Sequence, residues 1–137
     1  VVSLLLGGCK APPELRPDQE LKDALGLTDR DRVHLVTVRQ QSGQERPDPA
    51  ETVIRPGDHL LFQNGDRRAR SVRFLVDELS AEAQRWMSES VGARGPLLGD
   101  LDARWIVHFS DAPPGRYPFE ITGGGESGRG IAVVEGG

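Results

Sequence analysis

The residues able to do chemistry are few and scattered. The 137-residue chain has one cysteine, Cys9, one methionine, Met87, and three histidines, His34, His59 and His108. The histidines are far apart in sequence, with neither a His-x-His nor a His-x3-His spacing. They read as ordinary surface or edge histidines, and a Cu(II) or Zn(II) site made from them is the alternative. His108 alternates opposite Trp105, Val107 and Phe109, which sets it on the outer face of a strand. No Gly-x-Ser-x-Gly elbow or paired-histidine helix occurs, and Cys9 precedes the patterned region, so no thiol is available there as a nucleophile. Carboxylates are plentiful, but spacing singles none out. The expectation is a protein that is not an enzyme.

Two other patterns carry chemistry on paper. Gly123-x-Gly125-x-x-Gly128 matches the dinucleotide fingerprint, whose mechanism needs a following helix to hold the pyrophosphate at its N-terminus. A strand pattern follows here instead, so these glycines read as a turning loop. Arg67, Arg68, Arg70 and Arg73 form a basic cluster within a chain of net charge −4. Guanidinium forks suit carboxylate and phosphate, so the cluster is a candidate contact for an anion or an acidic partner. The alternative is a solvated hairpin tip pairing with Asp66, Glu120 or Glu126. Arg70 shares the parity of Val72 and Phe74, so it is expected to point toward one end of the fold and pair there with Glu120.

The elements that must position these residues follow from composition and period. A chain of this length makes one domain. Its acidic balance argues against nucleic acid as a partner, and no apolar run approaches the roughly 20 residues of a spanning helix. From Val33 onward the period is two. Strands are expected over Val33–Val38, Thr52–Ile54, Leu60–Gln63, Ser71–Asp77, Trp105–Phe109, Tyr117–Ile121 and Ile131–Glu135, with a polar loop over Gln40–Ala50. Pro56-Gly57 and Asn64-Gly65-Asp66 are turn signals. One helix starts at the N-cap Ser80 and buries Ala83, Trp86 and Met87. A shorter helix over Glu20–Leu27 places Leu21, Ala24 and Leu25 on one face and ends at Gly26. Short strands with regular turns predict an all-β antiparallel Greek-key sandwich with one short helix between strands.

The N-terminal run Leu6-Gly7-Gly8-Cys9 resembles the lipobox of bacterial lipoproteins. That resemblance implies a signal-peptide remnant over 1–8, a lipid attached to the Cys9 thiol, a tether with a short helix over 9–32 and a domain over 33–137. It further implies a secreted protein anchored in the cell envelope. In a Gram-negative host, Lys10 after the cysteine implies outer-membrane sorting.

The domain resembles a cupredoxin. The carrying residues are Gly57-Asp58-His59-Leu60-Leu61-Phe62-Gln63-Asn64-Gly65-Asp66, then Arg70-Ser71-Val72, then Phe109 with Pro114-Gly115-Arg116-Tyr117-Pro118-Phe119, and finally Gly130-Ile131-Ala132-Val133-Val134. The family's copper site takes two imidazoles, one thiolate and a weak axial Met. By this resemblance Arg70 stands where the first His belongs. Glu120 and Ile121 stand where the Cys is expected. The second His would fall near Gly123–Gly125 and the Met near Gly128. The expectation is a metal-free, lipid-anchored interaction module with no cofactor, partnered by the membrane and an acidic or envelope protein. A copper-binding, electron-transfer protein with a non-standard site is the alternative.

Overall fold

Alternation along the strands builds two facing apolar surfaces. The computed structural model describes residues 10–136. Eight strands are formed: β1 (Val33–Gln41), β2 (Gln44–Asp48), β3 (Glu51–Ile54), β4 (His59–Asn64), β5 (Ser71–Phe74), β6 (Arg104–His108), β7 (Gly115–Thr122) and β8 (Gly128–Val134). Sheet one has the order β2-β1-β4-β6, and sheet two the order β3-β8-β7-β5. The sandwich is as expected, but two pairings depart from the expected antiparallel arrangement: β1 runs parallel to β4 and β3 parallel to β8, while the other pairs are antiparallel. Chain neighbours therefore often lie in different sheets, as a Greek-key sandwich requires.

Val36, Val38, Leu60, Phe62 and Val107 face inward from sheet one. Val72, Phe74, Tyr117, Phe119, Ile121, Ala132 and Val134 face them from sheet two. The two layers meet through aromatic rings, with Phe62 edge-on to Phe119 at a 4.9 Å centroid distance. Helix α2 (Ala81–Ser90) closes one side. Its Ser80 cap accepts from the Ala83 N–H at 3.1 Å, and it buries Ala83, Trp86 and Met87 as its spacing predicts. Trp86 lies nearly parallel to Phe109 and donates its indole N–H to the Ser110 carbonyl at 2.9 Å.

Tyr117, the only tyrosine, is fully buried and donates to the Pro113 carbonyl at 2.7 Å. Burial and the nearby Glu82 charge push its phenol up to about 12. The unfolded chain ionises this group near pH 10, so it releases its proton first. Stability should fall as pH rises from the ordinary phenol value toward the folded one. An ultraviolet titration should show one phenolate step near pH 12, and a reversible step near pH 10 in the folded protein would refute this.

Several expectations need correction. The expected polar loop over Gln40–Ala50 is mostly a β1–β2 hairpin. Ser42 and Gly43 both adopt positive φ, 51° and 79°, as a tight hairpin turn requires. Pro47 and the charged residues of β2 hid its strand character. The strand expected over Ser71–Asp77 stops at Phe74, and Val76–Glu78 forms a short 3-10 turn. Helix α1 (Gln19–Leu25) is capped by Asp18 and ends at Gly26 with φ 70°, but of its expected apolar face only Leu21 is buried. Ala24 and Leu25 are exposed.

Much of the stretch read as a tether lies against sheet one. Ala11 and Pro17 are buried, and the Ala11 N–H donates to the Asp29 carbonyl at 2.7 Å. Asp18 pairs with Arg104 of β6 at 2.7 Å. Leu21 packs with Val33 and Leu61 on the outer face of the sheet.

Two strand edges are closed by loops. Along β5, the Phe74 N–H donates to the Ala93 carbonyl, Gly95 to Val72, and Arg70 and Leu98 exchange bonds. At β2, the Glu45 N–H donates to the Glu126 carbonyl, Glu126 donates to Gly43, and Pro47 has no N–H to offer.

Candidate functional site

Arg70 organises one end of the sandwich. It directly precedes β5, and its backbone is pinned by the exchange with Leu98, at 3.1 and 2.8 Å. It shares parity with Val72 and Phe74, and in place of the expected solvated tip or exposed anion contact its side chain turns into the interior, only 1% exposed. Burying a guanidinium that deeply requires partners for its donors. Nε donates to Glu45 Oε1 at 2.7 Å. The two terminal nitrogens grip both oxygens of Asp66, at 2.7 and 3.0 Å. One of them also donates to Asn64 Oδ1.

The partners are themselves fixed. Asn64 uses its amide N–H groups on the carbonyls of Arg68, Leu98 and Asp100, at 2.9, 3.1 and 3.0 Å. Glu45 Oε2 accepts from Gln40 at 3.0 Å and from the Gly125 N–H at 3.3 Å. Hydrogen bonds from Arg70, outweighing burial, hold the Asp66 carboxyl well below the usual carboxylate range. Burial pushes the Glu45 carboxyl up, but Arg70 and Gln40 outweigh it and hold it below its ordinary value. Burial also opposes the Arg70 charge, and Asp66 and Glu45 reverse that effect. The cluster is ionised as a unit.

Three of the four glycines around it are closely packed, and Gly124 alone stands in open space. A Cβ on Gly123 would stand 2.7 Å from Glu45 Oε1. One on Gly125 would stand 2.4 Å from the Gly43 carbonyl oxygen, and one on Gly128 would stand 1.8 Å from that of Glu45. Real Cβ atoms do not come that close to backbone.

The four arginines do not form one patch. Arg67 and Arg68 are exposed in the loop between β4 and β5, while Arg70 is interior. Arg73 projects from the outer face of sheet two and pairs with Glu120 at 2.8 Å. The expected Arg70–Glu120 pair is thus replaced by Arg70 with Glu45 and Asp66. Cys9, the expected lipid attachment point, lies outside the described residues.

The histidines also differ from expectation. His34 and His59 are buried. His34 Nε2 lies 2.8 Å from Asp58 Oδ2, an oxygen that also accepts from Arg32 at 3.2 Å and from the Arg55 N–H at 3.0 Å. His59 and His108 are register partners on β4 and β6, with their Nδ1 atoms 2.6 Å apart. His59 Nε2 lies 3.2 Å from Asp31 Oδ1. His108 is exposed on the outer face, as its alternation predicts.

Sequence reasoning missed Glu45, Asn64, Asp31 and Asp58. Only Glu45 left a usable signal: Ser42-Gly43 between polar alternating residues is a hairpin pattern, which would have turned Glu45 inward.

No protein-family model matches the chain, and no curated protein matches it significantly. Solved structures do. Oxidized plastocyanin from Dryopteris crassirhizoma superposes with a TM-score of 0.56 at 14% identity, covering 74% of this chain and 99% of that one. An oxidized amicyanin variant gives 0.54 at 19% identity, covering 92% and 99%. A reduced Cu(I) amicyanin variant gives 0.51 at 18% identity, covering 77% and 84%. The chain has the fold of the cupredoxins.

Proposed function

We propose that this protein is a non-catalytic interaction module of the bacterial envelope, built on the cupredoxin fold without its thiolate–copper centre and anchored through a lipid on Cys9. The observation that carries this reading is the packing around Arg70. A blue-copper site takes two imidazoles and a thiolate, usually with a distant axial Met. Where the sequence resemblance puts the first imidazole, Arg70 is buried and bound to Glu45 and Asp66. Where it puts the second imidazole and the axial ligand, a Cβ on Gly125 or Gly128 would meet backbone oxygens and one on Gly123 would meet the Glu45 carboxylate, while Gly124 stands in open space. The one thiol in the sequence is Cys9, before the sandwich begins. The residues present do not fit copper there, and a fixed cation would repel it.

Arg67 and Arg68 stand exposed beside this cluster and supply the contact for an acidic partner. Their guanidinium groups favour carboxylates by charge and fork geometry. Salt should weaken the attachment, as it screens exposed charges.

The test is copper loading of the full chain, with a visible spectrum. The expected result is no intense thiolate-to-copper band with either Cu(I) followed by oxidation or Cu(II). Such a band would overturn the reading, because it would show a thiolate-bound copper in this chain. The anchor is tested by mass spectrometry of the Cys9 peptide from bacterial membranes. Diacylglycerol on the thiol is expected, and Cys9→Ser should release the protein from the membrane fraction.

A further inference from the structure

The pairing left unexplained lies at the other end of β4 from Arg70. His59 and His108 face each other across the β4–β6 register on the outer face of sheet one. Their rings are nearly perpendicular, 89°, with centroids 4.6 Å apart. The facing atoms are both Nδ1, and 2.6 Å is short for a hydrogen bond between two neutral imidazoles.

Asp31 settles which nitrogen of His59 carries the proton. A carboxylate only accepts, so His59 Nε2 holds the hydrogen and donates to Asp31 Oδ1. His59 Nδ1 is therefore a bare lone pair, aimed at His108. A carboxylate on the far nitrogen of an imidazole is the usual arrangement behind metal-bound histidine, where it fixes the tautomer and raises the ring's basicity. Arg32, the neighbouring cation, is drawn away to Asp58. Leu21, Val33 and Leu61, with Leu27 and Ile106 against them, form an apolar surround beside the pair.

We propose that His59 and His108 are the two protein ligands of a divalent transition-metal site, with Asp31 as the positioning residue for His59. Neutral imidazole nitrogens select Cu(II) and Zn(II) among the common divalent ions, with Cu(II) the tighter. Two M–N bonds of about 2.0–2.1 Å need the facing nitrogens somewhat further apart than 2.6 Å. The exposed His108 can turn outward to allow this. Without metal, His108 donates its Nδ1 hydrogen to His59. On binding, that hydrogen leaves Nδ1 and one is taken up on Nε2 from water, so two neutral rings bind metal with no net proton change. Among the described residues, no group of three His, Cys, Asp or Glu side chains is placed to hold a metal. Water completes the coordination, and the site is open to exchange. It uses none of the positions around Arg70, so it stands or falls independently of the function proposed above.

The experiment is a calorimetric titration of the full chain with Cu(II) and with Zn(II), in a weakly coordinating buffer. One equivalent of each should bind, and electron paramagnetic resonance of the Cu(II) form should show coupling to two imidazole nitrogens. His108→Ala removes an exposed ligand and should weaken binding at least 10-fold. Asp31→Asn should weaken it about 10- to 100-fold while both histidines remain. Failure of the wild-type chain to take up a stoichiometric metal would overturn the site. So would uptake unchanged in His108→Ala, which would place the metal elsewhere. Loss in His108→Ala with no change in Asp31→Asn would overturn the role of Asp31. Thermal melting of both variants without metal separates lost ligation from lost folding, and a His108→Asn variant repeats the test if His108→Ala does not fold.

Discussion

Arg70→Met should destabilise the protein by about 3–5 kcal/mol, because it leaves Glu45 as an unpaired charge in the interior. Glu45 has no side-chain exposure, so water cannot replace the lost guanidinium. Asp66 is partly exposed and should suffer less. Adding Glu45→Leu to Arg70→Met removes the stranded charge, and much of the loss should return. The two changes are therefore non-additive, and a double-mutant cycle by denaturant unfolding measures the coupling. Additive losses would show that the pair is not one unit.

The same pair fixes a pH signature. In the wild type, Arg70 holds the Glu45 and Asp66 carboxyls below their ordinary values. The unfolded chain then takes up protons first as acid is added. The stabilisation is complete above the ordinary carboxylate range and is lost progressively as pH falls from that range through the lower folded values. In Arg70→Met, burial of Glu45 is no longer opposed by the guanidinium and raises its carboxyl instead. The Glu45 contribution then changes sign, and mild acid should partly rescue the variant. Parallel pH profiles for the two proteins would contradict the ion cluster.

Gly128→Ala should cost at least about 2–3 kcal/mol. Its Cβ would sit 1.8 Å from the Glu45 carbonyl oxygen, and the clash is with backbone rather than with a movable side-chain end. Relief requires parting β8 from the β1–β2 hairpin, which would also shift Glu45 from Arg70. Gly99→Ala is the control: it has open space around the Cβ and should stay within about 0.5 kcal/mol of wild type. Equal melting temperatures for Gly128→Ala and wild type would contradict the close approach. The same clash predicts that a methionine introduced at this position cannot be accommodated without first moving the hairpin.

The fold was largely legible because each core strand repeats its burial rule locally. Tyr117, Phe119 and Ile121 alternate within five residues, and a reader needs no partner strand to see which face is buried. Ser80 announces its helix in the same local way. The site was much less legible. Parity could aim Arg70 at one end of the fold, but neither its burial nor its partner among many carboxylates could be chosen. Glu45 lies 25 residues upstream, on a strand disguised by proline and charge. His59 and His108 meet across 49 residues of chain, through a register that only the complete sheet defines. Single histidines in sequence carry no mark of such a pairing.

The loops that close β2 and β5 have a consequence for crowding. An open strand edge is a template on which another copy can add, and repeated addition leads to fibrils. Here the edge donors of β5 are occupied by the segment after α2, and β2 combines a proline with bonds to the Glu126 loop. Neither edge offers a row of free amides to a second chain. Copies held close together on a surface can therefore reach high local density without these two edges seeding polymerisation.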